Sequence, residues 1–216
     1  MQTSAPVAAA LDLPVYVENG LAEWYSSVIP GTGLHPIPRP TESLAASFPA
    51  LRIDVSDWPR PTWLPSRKGE SLDQVHDRCQ GFLRAFLPRA EELAGRRHKK
   101  ILLVSHAGIV IALARELMGD RNLSFRAACC SLTTLVRRPE HAAHAVGVWQ
   151  SRGLAEGDFL KGGLERDWGF EDVELNDHEV CTHKFLIPRP IDIHLPSPLM
   201  RLGCRSRRCT RDRRRT

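Results

Sequence analysis

Residues 101–109, Ile-Leu-Leu-Val-Ser-His-Ala-Gly-Ile, constrain the fold of this chain more than any other stretch. An apolar run of strand character delivers one histidine into a glycine-containing turn, and the turn opens an apolar helix. The first backbone N–H groups of a helix lack intrahelical acceptors and carry partial positive charge, so a dianion placed there is stabilised before any side chain contributes. His106 would add a charge-assisted hydrogen bond. A lone histidine in such a turn serves equally well as a cap or a packing residue, so a functional reading needs support from other segments.

Strand and helix signals alternate around this unit. Residues 71–93 read as the clearest helix, with Leu72, Val75, Cys79, Phe82, Phe86, Ala90 and Leu93 at three- and four-residue steps and Ser71 and Gln74 at capping-box spacing. Residues 100–105 then read as a buried parallel strand, and residues 109–118 as a helix stopped by Gly119. Upstream, residues 8–11 end a helix, residues 14–17 form a short strand, and Asn19-Gly20 turns the chain so that Glu23 sits just beyond a strand end. Downstream, residues 132–137 and 145–150 pair as an antiparallel hairpin around a turn at 139–144, and residues 164–175, with Trp168 and Phe170, wrap the domain. Such alternation points to a layered α/β fold.

Residues 30–65 hold eight prolines with His35, Trp58 and Trp63 and only short apolar runs. They read as an insertion over the fold, either a lid or partner surface, or a packed irregular loop covering the sheet edge.

The net charge of +5 misleads about partners. Residues 201–216 hold eight arginines and one aspartate, so the other 200 residues carry −2. The basic tail can neutralise phosphates or acidic partners, but without aromatic residues or a periodic apolar face it does not favour specific nucleic-acid recognition. An altered reading frame at the 3′ end of the gene would give the same composition. The longest apolar stretch, residues 101–114, is broken by Ser105, His106 and Gly108 and falls short of the roughly 20 residues a spanning helix needs. Residues 1–13 lack the basic start of a signal peptide. The expectation is a cytoplasmic or nuclear protein, neither secreted nor membrane-bound. The six cysteines show no C-x-x-C spacing and are read as reduced, and His141-x-x-His144 is read as a solvated loop rather than a metal site.

Leu21-x-Glu23, Gly69-Glu70-Ser71 and Ser105-His106-Ala107-Gly108 stand in the order and approximate spacing of three elements of the histidine phosphatase (phosphoglycerate mutase-like) superfamily, which the chain resembles over residues 1–175. Gln2-Thr3-Ser4 before an alanine-rich helix looks like another of its elements. The resemblance implies a three-layer α/β fold, a mostly parallel sheet with helices on both faces. It also implies phosphoryl transfer through a phosphohistidine, without metal or other cofactor. His106 would be the second histidine, binding phosphate with Ala107 and Gly108, and Glu23 the acid that protonates the leaving oxygen. The ligand would be a phosphorylated substrate or inorganic phosphate.

Family members begin with a strand ending in Arg-His-Gly, whose histidine takes the phosphoryl group. None of the nine histidines here lies in that context. The expectation is an N-terminally truncated form of the fold, lacking its first strand, with a true start upstream of Met1 and no turnover as it stands. Residues 1–175 would form this domain and residues 176–216 a disordered, Arg-rich tail.

The strings Val17-Glu18-Asn19-Gly20-Leu21-Ala22-Glu23-Trp24-Tyr25 and Gly162-Gly163-Leu164-Glu165-Arg166-Asp167-Trp168-Gly169-Phe170 narrow the resemblance. They are similar to a eukaryotic branch that includes the ubiquitin-associated, SH3-containing phosphatases and the fungal histidine-phosphatase subunit of RNA polymerase III transcription factor C. That branch keeps a second function class open: a non-catalytic interaction subunit with protein partners in a transcription complex.

Overall fold

The computed structural model describes residues 1–95, 100–141 and 144–173. Within them lie helices α1 (Ser4–Leu11), α2 (Thr41–Ser47), α3 (Leu72–Ala94) and α4 (Ala107–Met118), and strands β1 (Ala127–Cys129), β2 (Leu132–Arg137), β3 (Trp149–Glu156) and β4 (Glu165–Trp168). Single 3-10 turns occupy Asn19–Leu21, Pro139–His141 and Phe170–Asp172.

Helix α3 starts where its capping box predicts. The Ser71 hydroxyl accepts from the Gln74 N–H at 3.3 Å, and the Gln74 side chain accepts from the Ser71 N–H at 2.8 Å. The helix stops at Gly95, whose φ of 54° is left-handed. Its apolar stripe puts Val75, Cys79, Phe82 and Leu83 fully inside. Against it packs α4, stopped by Gly119 at φ 79° and buried from Gly108 through Leu117 except at the partly buried Val110. Each large side chain closed off in this contact contributes about 1.5–3 kcal/mol of apolar burial. Trp24, Trp58, Ala127 and Phe170 complete the core.

The strands form two separate antiparallel pairs. β1 pairs with β4, Ala127 opposite Trp168, and β2 pairs with β3, from Leu132 opposite Glu156 to Arg137 opposite Trp149. The expected hairpin is present, but its second strand begins at Trp149 rather than at residue 145. Gly147 takes a φ of 75° and its N–H donates to the Glu116 carbonyl at 3.0 Å, so residues 145–148 turn against α4 before extended pairing starts. Residues 164–175 wrap less than expected within the described part: β4 extends the β1 edge, and Phe170 dives into the core.

The expected three-layer, mostly parallel sheet is not assembled by the described residues. Parallel pairing there is one isolated bridge, Val15 with Ile53, so residues 14–17 are a bridge and not a strand. Residues 100–105 join no ladder among the described residues, and Ile101 and Leu102 are 49% and 52% exposed. Apolar composition marks a segment that can be buried in a sheet, but ladder hydrogen bonds need a neighbouring strand at each edge.

The proline-rich segment is pinned and not draped. Trp58 is 2% exposed, and its indole N–H donates to Glu18 at 2.7 Å. Glu18 also accepts the Thr62 N–H at 2.8 Å and the Thr62 hydroxyl. From α3, the Arg89 guanidinium lies 3.8 Å over the Trp58 ring and donates to the Arg60 carbonyl at 2.8 Å.

No helix among the described residues is long and apolar enough to cross a membrane. The boundary expected near residue 175, the basic tail, and Cys181, Cys204 and Cys209 lie outside the described residues.

Candidate phosphate site

His106 is the residue from which α4 springs. Its backbone is extended, φ −103° and ψ 158°, and its side chain makes no capping bond, which leaves the ring turned to other use. The ring reaches Glu23: Nδ1 lies 2.9 Å from Oε2, with the two side chains 56% and 40% exposed. The other carboxylate oxygen, Oε1, accepts the N–H of Trp24 at 2.9 Å. Both oxygens of Glu23 are therefore held, one by backbone and one by the imidazole.

The Glu23 carboxylate raises the His106 pKa above the usual histidine value, chiefly through that hydrogen bond, against partial burial and the opposing positive charge of the chain's α-amino group. An imidazolium at the start of a helix adds a full charge to the partial charge of the first-turn N–H groups. Ala107 and Gly108 belong to that first turn, where the helix itself supplies no acceptors. A cation, a proton donor and open helix N–H groups together suit an oxyanion such as phosphate.

The floor of the site is aromatic. Trp24 meets Trp168 and Phe170 edge to face, with centroids 6.4 and 5.7 Å apart. Gly108 lies against this cluster: a Cβ placed there would come within 3.3 Å of Trp168. Its small size thus serves the packing of α4 onto Trp168.

The Glu23 segment is not held by a strand end, as the sequence implied, but follows the 3-10 turn at Asn19–Leu21. Side chains from Ser105 and from α3 grip it. The Ser105 hydroxyl donates to the Leu21 carbonyl at 2.7 Å, and Arg78 donates to the Gly20 and Ala22 carbonyls at 2.9 and 3.1 Å. Glu70, the acid of Gly69-Glu70-Ser71, pairs with Arg78 at 2.7 Å in a buried contact, and its carbonyl accepts the Trp24 indole N–H at 2.8 Å. Desolvation raises the Glu70 carboxyl above its usual pKa, with Arg78 pulling the other way.

The sequence reading placed His106, Glu23, Ala107 and Gly108 in one site, and the structure brings them to one place. It missed Arg78. The available signal was a charge set beside Cys79 and next to the apolar stripe of α3. Among the described residues no cluster of three or more histidine, cysteine or carboxylate side chains could hold a metal ion.

A family model described as the histidine phosphatase superfamily (branch 1) matches residues 1–148. This chain belongs to the histidine phosphatase superfamily. It is also similar to the transcription factor tau 55 kDa subunit of Saccharomyces cerevisiae, with 34% identity over 122 residues, or 56% of this chain. The match spans 27% of that relative's length. The α3 and α4 elements and the His106–Glu23 contact all fall within the family match, whereas β3 and β4 lie wholly beyond it.

Proposed function

We propose that this domain binds phosphate or a phosphorylated ligand through a half-site of the phosphohistidine phosphoryl-transfer class. His106 is the second histidine of that chemistry, Glu23 its proton donor, and the Ala107 and Gly108 N–H groups receive the phosphate oxygens. The observation that carries this reading is the 2.9 Å contact between His106 Nδ1 and Glu23 Oε2 at the start of α4. In the full reaction class an unprotonated histidine attacks phosphorus in line, while a second histidine balances charge and an acid protonates the leaving oxygen. These 216 residues contain no Arg-His-Gly tripeptide to supply the attacking histidine. On this reading these residues by themselves bind the ligand without turning it over.

Titration with inorganic phosphate, followed by NMR, tests both halves. Saturable shifts at the His106 ring and at the Ala107 and Gly108 amides, lost in His106→Ala, are expected, with no hydrolysis of an aryl phosphate. Absence of any shift would remove the reading. Robust hydrolysis abolished by His106→Ala would show that the nucleophile was misassigned.

A second reading is an interaction subunit acting in the nucleus, within a complex such as RNA polymerase III transcription factor C. It is supported by the similarity to a protein named as a transcription factor subunit. Co-purification of the tagged chain with the other subunits of that factor is expected on this reading, and its absence from a nuclear extract that retains the complex would count against it.

A further inference from the structure

Three consecutive backbone carbonyls lead up to Glu23, and a side chain from elsewhere in the chain captures each of them. Arg78 Nη1 takes Gly20 and Ala22 at 2.9 and 3.1 Å, and the Ser105 hydroxyl takes Leu21 between them at 2.7 Å. A peptide whose carbonyl faces water keeps its rotational freedom, whereas three successive peptides pinned from two sides leave the next residue one direction of departure.

The arginine is itself aimed. Its Nε faces both oxygens of Glu70, at 2.7 and 3.0 Å, and the pair's side chains are 3% and 7% exposed. Stability alone explains this arrangement poorly, because the desolvation of two buried ions offsets much of their attraction and an apolar pair of similar volume packs as well. An apolar pair cannot hold two carbonyls. A planar guanidinium held at Nε by a carboxylate presents its Nη1 N–H groups in a fixed direction, which a lysine ammonium does not. Ser105 adds the second tie, and it directly precedes His106, so one hydroxyl joins the segment bearing the acid to the segment bearing the imidazole.

We propose that Arg78 and Ser105 are positioning residues for the Glu23–His106 pair, setting the approach of carboxylate to imidazole through the Gly20, Leu21 and Ala22 carbonyls. The functional weight of the relation rests on the phosphate-site reading above, although the geometry does not.

The test uses the full 216-residue chain and the NMR titration of the His106 ring, with Glu23→Gln as reference. Ser105→Ala removes one hydroxyl and leaves the buried ions untouched. It is expected to lower the His106 titration midpoint by at least half as much as Glu23→Gln does. Arg78→Lys keeps the charge but not the fork, and should lower it likewise. In the Ser105→Ala, Glu23→Gln double variant the midpoint should equal that of Glu23→Gln alone, because the serine acts only through the carboxylate. A merely structural serine would leave the midpoint where it was. An unchanged His106 titration in folded Ser105→Ala overturns the proposal, even where Arg78→Lys fails to fold. A wild-type chain that ignores inorganic phosphate, while Ser105→Ala still lowers the midpoint, would remove the phosphate reading and leave the positioning relation standing.

Discussion

His106 and Glu23 come from different segments of the chain, and the structure sets Nδ1 of one 2.9 Å from Oε2 of the other. Both side chains are more than a third exposed, so the pair's worth to stability after screening is about 0–1 kcal/mol. Its consequence is chemical. The imidazole is biased toward its protonated form at the point where a helix already favours negative charge.

That bias has a definite pH signature. A histidine whose folded pKa is raised stabilises the fold fully below its unfolded value, near about 6.5, and loses the contribution as pH rises through the folded value. Glu23→Gln should therefore be less stable than wild type at about pH 5.5 by up to about 1 kcal/mol, with the gap closing at alkaline pH. Urea unfolding midpoints across the range measure it, and a pH-independent gap would contradict the assignment.

His76 predicts the opposite slope. It is 3% exposed, its Nδ1 is engaged with the Leu72 carbonyl at 2.9 Å, and its Nε2 has no hydrogen-bond partner among the described residues. Burial lowers its pKa, so the fold loses stability as pH falls from the unfolded histidine value through the lower folded one. His76→Leu should flatten the acid limb of the stability curve between about pH 6.5 and 5. An unaltered acid limb would show that another group carries it.

Trp58 holds the proline-rich segment to the core through Glu18 and Arg89. Trp58→Ala removes a large buried ring and leaves the half-satisfied Glu18 carboxylate inside, at a cost of about 3–5 kcal/mol. Limited proteolysis should then open residues 30–65 before the rest of the domain. Cleavage elsewhere first would show that the segment is held by other contacts.

Gly69 has a φ of 77°, and a Cβ added there would overlap the Ser26 carbonyl oxygen. Gly69→Ala should cost about 2 kcal/mol or more, since both the backbone conformation and the close approach resist it. Because the Glu70 N–H donates to the Tyr25 carbonyl at 2.9 Å, the variant should also disturb the Trp24 indole resonance. A near-neutral melting shift would mean that the two segments separate without penalty.

Local signals determined much of this molecule in advance. The α3 stripe, its Ser71–Gln74 box, the Gly119 stop and the β2–β3 pairing depend on neighbours a few residues away or on one turn, so periodicity and capping chemistry expose them. The order of three short motifs was enough to nominate His106 and Glu23. What a linear reading could not settle was where each apolar or charged residue finds its counterpart. Residues 100–105 have the composition of a central strand yet join no ladder among the described residues, because pairing belongs to two segments and composition to one. Arg78 was passed over in the sequence, and the fold encloses it with Glu70 and the Gly20 and Ala22 carbonyls. Burial and long-range hydrogen bonding are properties of the folded neighbourhood, and they decided how this site is held.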